Sequence, residues 1–357
     1  MIKTIEEIRN IVGTSPEYSF LYENPHLNNN IVFLGLGGSY AYGLAKETSD
    51  IDVRGIALRS KEEILLGRDF ETVTNNITDT TVYSLDKICH LLLACNPNVV
   101  EIFGLKPNQY IYANNEFIQE FVSLKEAFLS KKCINSFGGY ASSQLRRLSN
   151  KAARDVAQQE REQHVLKSIE YAEIDYRNKA TYADSNSTFK LYVDKAVTPD
   201  NDFEIFIDTN VKHYPLREYL AYLNTYHGVV RDYDKGDSKR NRKAVENDKL
   251  DKHSTHLIRL YYMVFDILEH HEVVTYREKE HEFLMQLRNG LYIDENKQPK
   301  QELFDLVDRL EDKFDKLIKL TTLPDEPDYD TIYKWLASVN ERIIYGKAYN
   351  NDFRIGD

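Results

Sequence analysis

The segment that most limits the fold of this chain is IVFLGLGGSYAYGLAKETSDIDVRGIAL, residues 31–58. An apolar run of strand length, IVFLGL, ends in glycines, and a second strand-like stretch, DIDVRGIAL, begins at Asp50. A Gly37-Gly38-Ser39 turn and a short helix are expected between them. Side chains alternate across a strand, so Asp50 and Asp52 are expected on one face, with Cβ atoms about 7 Å apart. Gly55 marks a bulge or a close approach of another backbone.

Three chemical readings of this segment compete. A dinucleotide loop needs G-x-G-x-x-G/A, and from Gly35 the first two glycines fit. The third position is Tyr40, whose ring opposes the close helix packing that the motif requires, and no GxxxxGK[ST] is present. A purely structural reading makes Gly37 and Gly38 a tight turn, with Asp50 as a cap and Asp52 facing solvent. The third reading takes the parts as a unit. The Gly-Gly-Ser turn lets backbone N–H groups and the Ser39 hydroxyl approach phosphates at a helix N-terminus. Paired carboxylates suit Mg²⁺, which binds through a few carboxylates plus substrate phosphates. Gly37, Gly38 and Ser39, followed by Asp50 and Asp52, therefore describe a site for a nucleoside triphosphate and its metal.

Beyond this unit, FETVTNN (70–76) and DTTVYS (79–84) read as strands, and SLDKICHLLLACN as a helix capped by Ser84. From Asn114 the pattern changes to long amphipathic helices, with a break expected at Gly138-Gly139 and a β-hairpin at about 186–211. The expected fold class is α/β (α+β). A small mixed sheet with flanking helices over 1–113 precedes a mainly helical domain over 114–357. The polar stretch from Asp232 to Asp251 is the expected mobile loop.

The net charge of −11 argues against a protein that coats nucleic acid indiscriminately, though a local basic groove is compatible with it. Two candidate basic clusters are KRNRK at 239–243 and Arg146, Arg147, Lys151 and Arg154. Cys89, Cys95 and Cys133 lack zinc or disulfide spacing and are expected as buried thiols in a reducing compartment. No apolar run is long enough to cross a bilayer and the first residues lack a signal-peptide core, so no membrane partner and a cytoplasmic location are expected.

GGSYAYGLAKETSDIDVRGIAL resembles the motif of the DNA polymerase β nucleotidyltransferase superfamily, G[GS] followed after roughly a dozen residues by DxD. With SxAYG before SDxDxRG, it is similar in particular to the predicted bacterial and phage RNA-repair-pathway polymerase-β-like nucleotidyltransferases. YSLDKICHLLLACNPNVVEIFG and KHSTHLIRLYYMVFDILEHHEVVTYREKEHEFLMQLRNG also look like that family. The resemblance implies a third carboxylate after Asp52. Asp79, heading a strand, is the first choice. Glu71 competes, Asp86 lies too far into its helix, and Glu101 is a further site candidate.

The resemblance further implies transfer of NMP from an NTP such as ATP to a hydroxyl on RNA, a protein or a small molecule, with release of pyrophosphate. Mg²⁺ (or Mn²⁺) would be held by Asp50, Asp52 and Asp79. The alternative is a catalytically silent NTP-binding module of the antitoxin type. Lys252, His256 and Arg259 recur at spacings of four and three, so they share one helix face and are candidate nucleotide-binding groups. A substrate role for Arg54 rests on the resemblance alone. Templated DNA synthesis is not expected, since nothing in the chain resembles a duplex-binding module.

Overall fold

The computed structural model describes residues 2–68, 70–141, 189–195, 203–209, 214–220, 223–224, 250–295, 299–349 and 353–355. Five strands form a mixed sheet: β1 (Ile31–Leu36), β2 (Val53–Ala57), β3 (Thr72–Asn75), β4 (Thr80–Ser84) and β5 (Tyr110–Ala113), in the order β3-β4-β2-β1-β5. Only β2 and β4 pair in parallel, Val53 opposite Thr80 through Ala57 opposite Ser84; the other neighbours are antiparallel.

The strand β1 is buried along its whole length, which explains its unbroken apolar run. On one face Leu34, Leu36, Val53, Ala57, Val82 and Ile111 join Ile8 and Val12 of helix α1 (Ile5–Thr14) in one cluster. Phe353 and Ile355, near the other end of the chain, belong to the same cluster. Gly55 marks a close approach: a Cβ there would press on Leu34 and Val82 of the two neighbouring strands. Helix α2 (Leu85–Leu93) packs on β2 and β4, and the Ser84 hydroxyl accepts the Lys87 N–H as the expected cap.

The chain divides into two compact units. One comprises Met1–Leu145, Asp251–Tyr292 and Lys300–Asp357, so the sheet shares a unit with the later helices α3 (Leu250–His270, from Asp251 on), α4 (His281–Arg288), α5 (Gln301–Leu320) and α6 (Tyr329–Ile344). The other comprises Arg146–Leu250 and Ile293–Pro299 and contains the expected hairpin. There β6 (Phe189–Lys195) pairs antiparallel with β7 (Phe203–Thr209). In the first unit Phe103, Phe117, Phe121 and Phe128 form an aromatic core, with Trp335 tilted 6.1 Å from Phe121.

Two expectations need correction. The glycines at 138 and 139 do not break a helix, which runs through 132–141. Gly138 lies against the Phe314 ring, so close packing rather than a turn accounts for it, while a Cβ at Gly139 would meet open space. The strand expected from Asp50 begins only at Val53. The basic clusters at 146–154 and 239–243, and the loop from Asp232 as far as 249, lie outside the described residues. Cys89, Cys95 and Cys133 are buried free thiols, as expected. Among the described residues no helix is long and apolar enough to cross a membrane.

Candidate functional site

The parallel pairing of β2 and β4 organises the site. Val53 and Thr80 are opposite each other, so Asp52 and Asp79, each one residue earlier, come together at the same end of the sheet. The main chain closes the gap: the Val53 N–H donates to the Asp79 carbonyl at 3.3 Å. Asp79 sits at φ +44°, in the left-handed region that Asp tolerates better than most residues. Strain of this kind is held only where surrounding structure enforces it. Here Arg54 does so, its Nη1 donating to the Asp79 carbonyl at 2.9 Å and lying 3.7 Å from the Asp79 carboxylate.

The glycine turn meets this pair directly. Gly37 donates its N–H to the Asp52 carbonyl at 2.8 Å, which ties the end of β1 to the residue before β2. Gly38 has φ +52°, and a Cβ there would overlap the Asp52 carboxylate. Gly38 is therefore required twice, by its backbone and by the space it leaves. Of the expected phosphate donors, the Gly37 N–H is already used inside the fold. Gly38 and Ser39 open the one-turn helix Gly38–Ala41, where N–H groups lack intrahelical acceptors. Tyr40 is 8% exposed in the apolar cluster of α1, so the ring that excludes a dinucleotide loop serves as core.

Burial and the adjacent Asp79 carboxylate push Asp52 up to about 7, against the opposing pull of Arg54 and Lys252. Two carboxylates within hydrogen-bonding reach need a proton or a cation between them. This oxygen donor set fits a hard divalent ion that keeps phosphate and water ligands, and Asp52 and Asp79 would hold it. Asp50 lies exposed in the loop before β2, so the alternation rule for a strand does not apply to it. Among the described residues no three His, Cys, Asp or Glu side chains gather as a metal site.

Of the rival acids, Glu71 and Asp86 lie elsewhere. The Glu71 carbonyl accepts the Ser84 N–H, placing Glu71 at the opposite end of the β3–β4 hairpin from Asp79, and its carboxylate pairs with Lys87 at 2.7 Å. Asp86 pairs with Arg59 at 2.8 Å, beyond the far end of β2. Glu101 is 7% exposed and accepts the Tyr42 hydroxyl at 2.6 Å. Burial raises Glu101, while Arg259, Tyr42 and Arg54 act the other way.

The three candidate cations of α3 reach the same region. Lys252 acts electrostatically on Asp52. One turn on, His256 Nδ1 accepts from Arg259 Nη2 at 2.8 Å, and the Arg259 guanidinium lies 3.3 Å from the Tyr42 ring centroid. Sequence reasoning missed Tyr42, whose only local signal was its place in AYG. It also missed the contacts that seat the AYGLAK segment: His281 Nε2 with the Gly43 carbonyl at 2.9 Å, and Lys46 Nζ with the Arg288 carbonyl at 2.6 Å.

Residues 14–172 match the model of the RNA repair pathway DNA polymerase beta family. That stretch is similar to the polymerase β-like nucleotidyltransferases. The match takes in all five strands of the mixed sheet, the glycine turn and both Asp52 and Asp79, and covers less than half of the chain. No curated protein and no solved structure matches the chain.

Proposed function

We propose that this protein is a metal-dependent nucleotidyltransferase that moves NMP from an NTP to a hydroxyl acceptor and releases pyrophosphate. The observation that carries the reading is the Asp52–Asp79 pair, set behind a glycine whose missing Cβ leaves its space. When bound, Mg²⁺ (or Mn²⁺) would orient the α-phosphate and stabilise the charge on departing pyrophosphate. Asp52 and Asp79 would hold the ion, and Asp50, exposed in the adjoining loop, would join them only on binding. Gly38 and Ser39 offer N–H groups and a hydroxyl to the β and γ phosphates, while Lys252 and Arg259 add positive charge. Arg54 keeps Asp79 in place through its backbone carbonyl.

Within this reading the acceptor is an RNA end, a protein side chain or a small molecule. The test is to incubate the purified chain with each α-labelled NTP and Mg²⁺ or Mn²⁺, with total RNA and total protein as acceptors. Label entering one acceptor with matching pyrophosphate supports the proposal; no pyrophosphate with any NTP contradicts it. The lack of a third acid gathered with the pair among the described residues favours a second reading, a silent NTP-binding module of the antitoxin type. It predicts Mg²⁺-dependent NTP binding without turnover.

A further inference from the structure

Several arginines of the first unit pair with carboxylates. Arg59 pairs with Asp86, Arg277 with Asp266 and Glu280, Arg288 with Asp251, and Arg342 with Glu116 and Glu120. Arg259 forms no ion pair with a carboxylate among the described residues. It stacks on the Tyr42 ring at 3.3 Å and gives one N–H to His256; its buried Nε has no hydrogen-bond partner, a feature it shares with Arg277 and Arg342. A guanidinium that is held in place yet keeps unused donors is arranged to receive an anion from outside the chain.

What holds it is a chain of buried contacts. Tyr42 is 2% exposed, and its hydroxyl is fixed by the equally buried Glu101. The ring therefore has one orientation, and the face it turns to Arg259 is set by Glu101. On the other side an arginine can only donate, so His256 accepts at Nδ1 and carries its proton on Nε2, which faces the Tyr140 hydroxyl at 3.3 Å. The backbone around Tyr42 is pinned as well. Gln109 Nε2 donates to the Ala41 carbonyl at 2.7 Å, and a Cβ at Gly43 would overlap the Tyr276 ring.

We propose that Tyr42, from the segment between the glycine turn and Asp52, and Glu101 are positioning residues: they orient the Arg259 guanidinium as a binding group for a polyphosphate anion. The inference rests on the nucleotide reading above and adds what makes one of its cations competent. Glu101 touches no phosphate; it acts through the Tyr42 ring, and its charge acts on Arg259 as well.

The test is calorimetric titration of the full chain with inorganic tripolyphosphate in Mg²⁺, which reports anion binding without a base or an acceptor. Arg259→Ala is expected to weaken binding by about tenfold or more, and Tyr42→Phe by about three- to tenfold. The double variant should bind no more weakly than Arg259→Ala alone, because the tyrosine works through the arginine. Glu101→Ala should resemble Tyr42→Phe, whereas Glu101→Gln, which still accepts the hydroxyl, should stay within about twofold of the unsubstituted protein. If Tyr42→Phe does not fold, the Glu101 pair of variants decides the question. Wild-type affinity in Tyr42→Phe or Glu101→Ala, or additive losses in the double variant, would overturn the proposal and leave the nucleotide reading standing. A wild-type chain that binds neither tripolyphosphate nor any NTP overturns both.

Discussion

Two carboxylate centres of the same compact unit are built to opposite ends. Glu120 accepts from Trp335 Nε1 at 2.9 Å, from both terminal nitrogens of Arg342 at 2.9 and 2.7 Å, and from the Tyr349 hydroxyl at 2.6 Å. The Arg342 hydrogen bond leads the effects that hold its carboxyl down at about 2. Asp52 sits instead half-buried against another carboxylate and is pushed up to about 7. The difference separates a finished structural joint from an unfinished site. Glu120 takes four hydrogen bonds from the fold, whereas the Asp52–Asp79 pair keeps a demand for positive charge that Arg54 and Lys252 only partly meet.

The sharpest way to break that comparison is to neutralise the unfinished centre. Asp52→Asn with Asp79→Asn should lower NMP transfer and pyrophosphate release by about 10³-fold or more, while the thermal midpoint at neutral pH holds or rises. A fall in stability together with activity would make the pair structural, like Glu120. Next in size, Gly38→Ala places a methyl against the Asp52 carboxylate at a positive φ. It should cost about 10²-fold in turnover, read by the same pyrophosphate assay, against about 1 kcal/mol in stability. Equal turnover would show that the space is not used.

The structural centre gives a smaller response, of the other kind. Glu120→Ala leaves Arg342, Tyr349 and Trp335 without their shared acceptor and should destabilise the fold by about 2 kcal/mol in urea titrations, with turnover of the remaining folded protein unchanged. The smallest effect is in pH. Glu120 lies below its ordinary 4.5, so its contribution is complete above that value and is lost as pH falls towards about 2. Asp52 lies above its ordinary 3.8, so the folded state keeps a proton that the unfolded chain releases, and stability declines as pH rises from about 4 to about 7. In melting curves without divalent ions, Asp52→Asn should match the unsubstituted protein near pH 4 and melt a few degrees higher near pH 8. Parallel curves would remove the strain assigned to Asp52.

The same contrast sets what was legible in the sequence. The glycine turn and its two aspartates announce themselves because their chemistry lies within one local segment. Asp79 was reachable one step further, as the acid heading a strand, and Gly55 as a close approach between strands. Where strand β2 begins was not legible: the tie from the Gly37 N–H to the Asp52 carbonyl lies outside the strand ladders, and no local propensity encodes it. Tyr42 read as an ordinary residue and Glu101 only as a further site candidate without a partner, since their meaning comes from Arg259, more than 150 positions later. Gly138 misled for the same reason, its partner being Phe314. Helical spacing did bring Lys252, His256 and Arg259 to one face, because that relation is local to α3.

The most direct test of the central claim is the binding of Mn²⁺ in the presence of an NTP, followed by electron paramagnetic resonance on the full chain. The unsubstituted protein should take up the ion saturably, and the Asp52→Asn, Asp79→Asn double variant should bind it at least about tenfold more weakly. Equal uptake by the two proteins would contradict the assignment of this pair as the metal-binding centre.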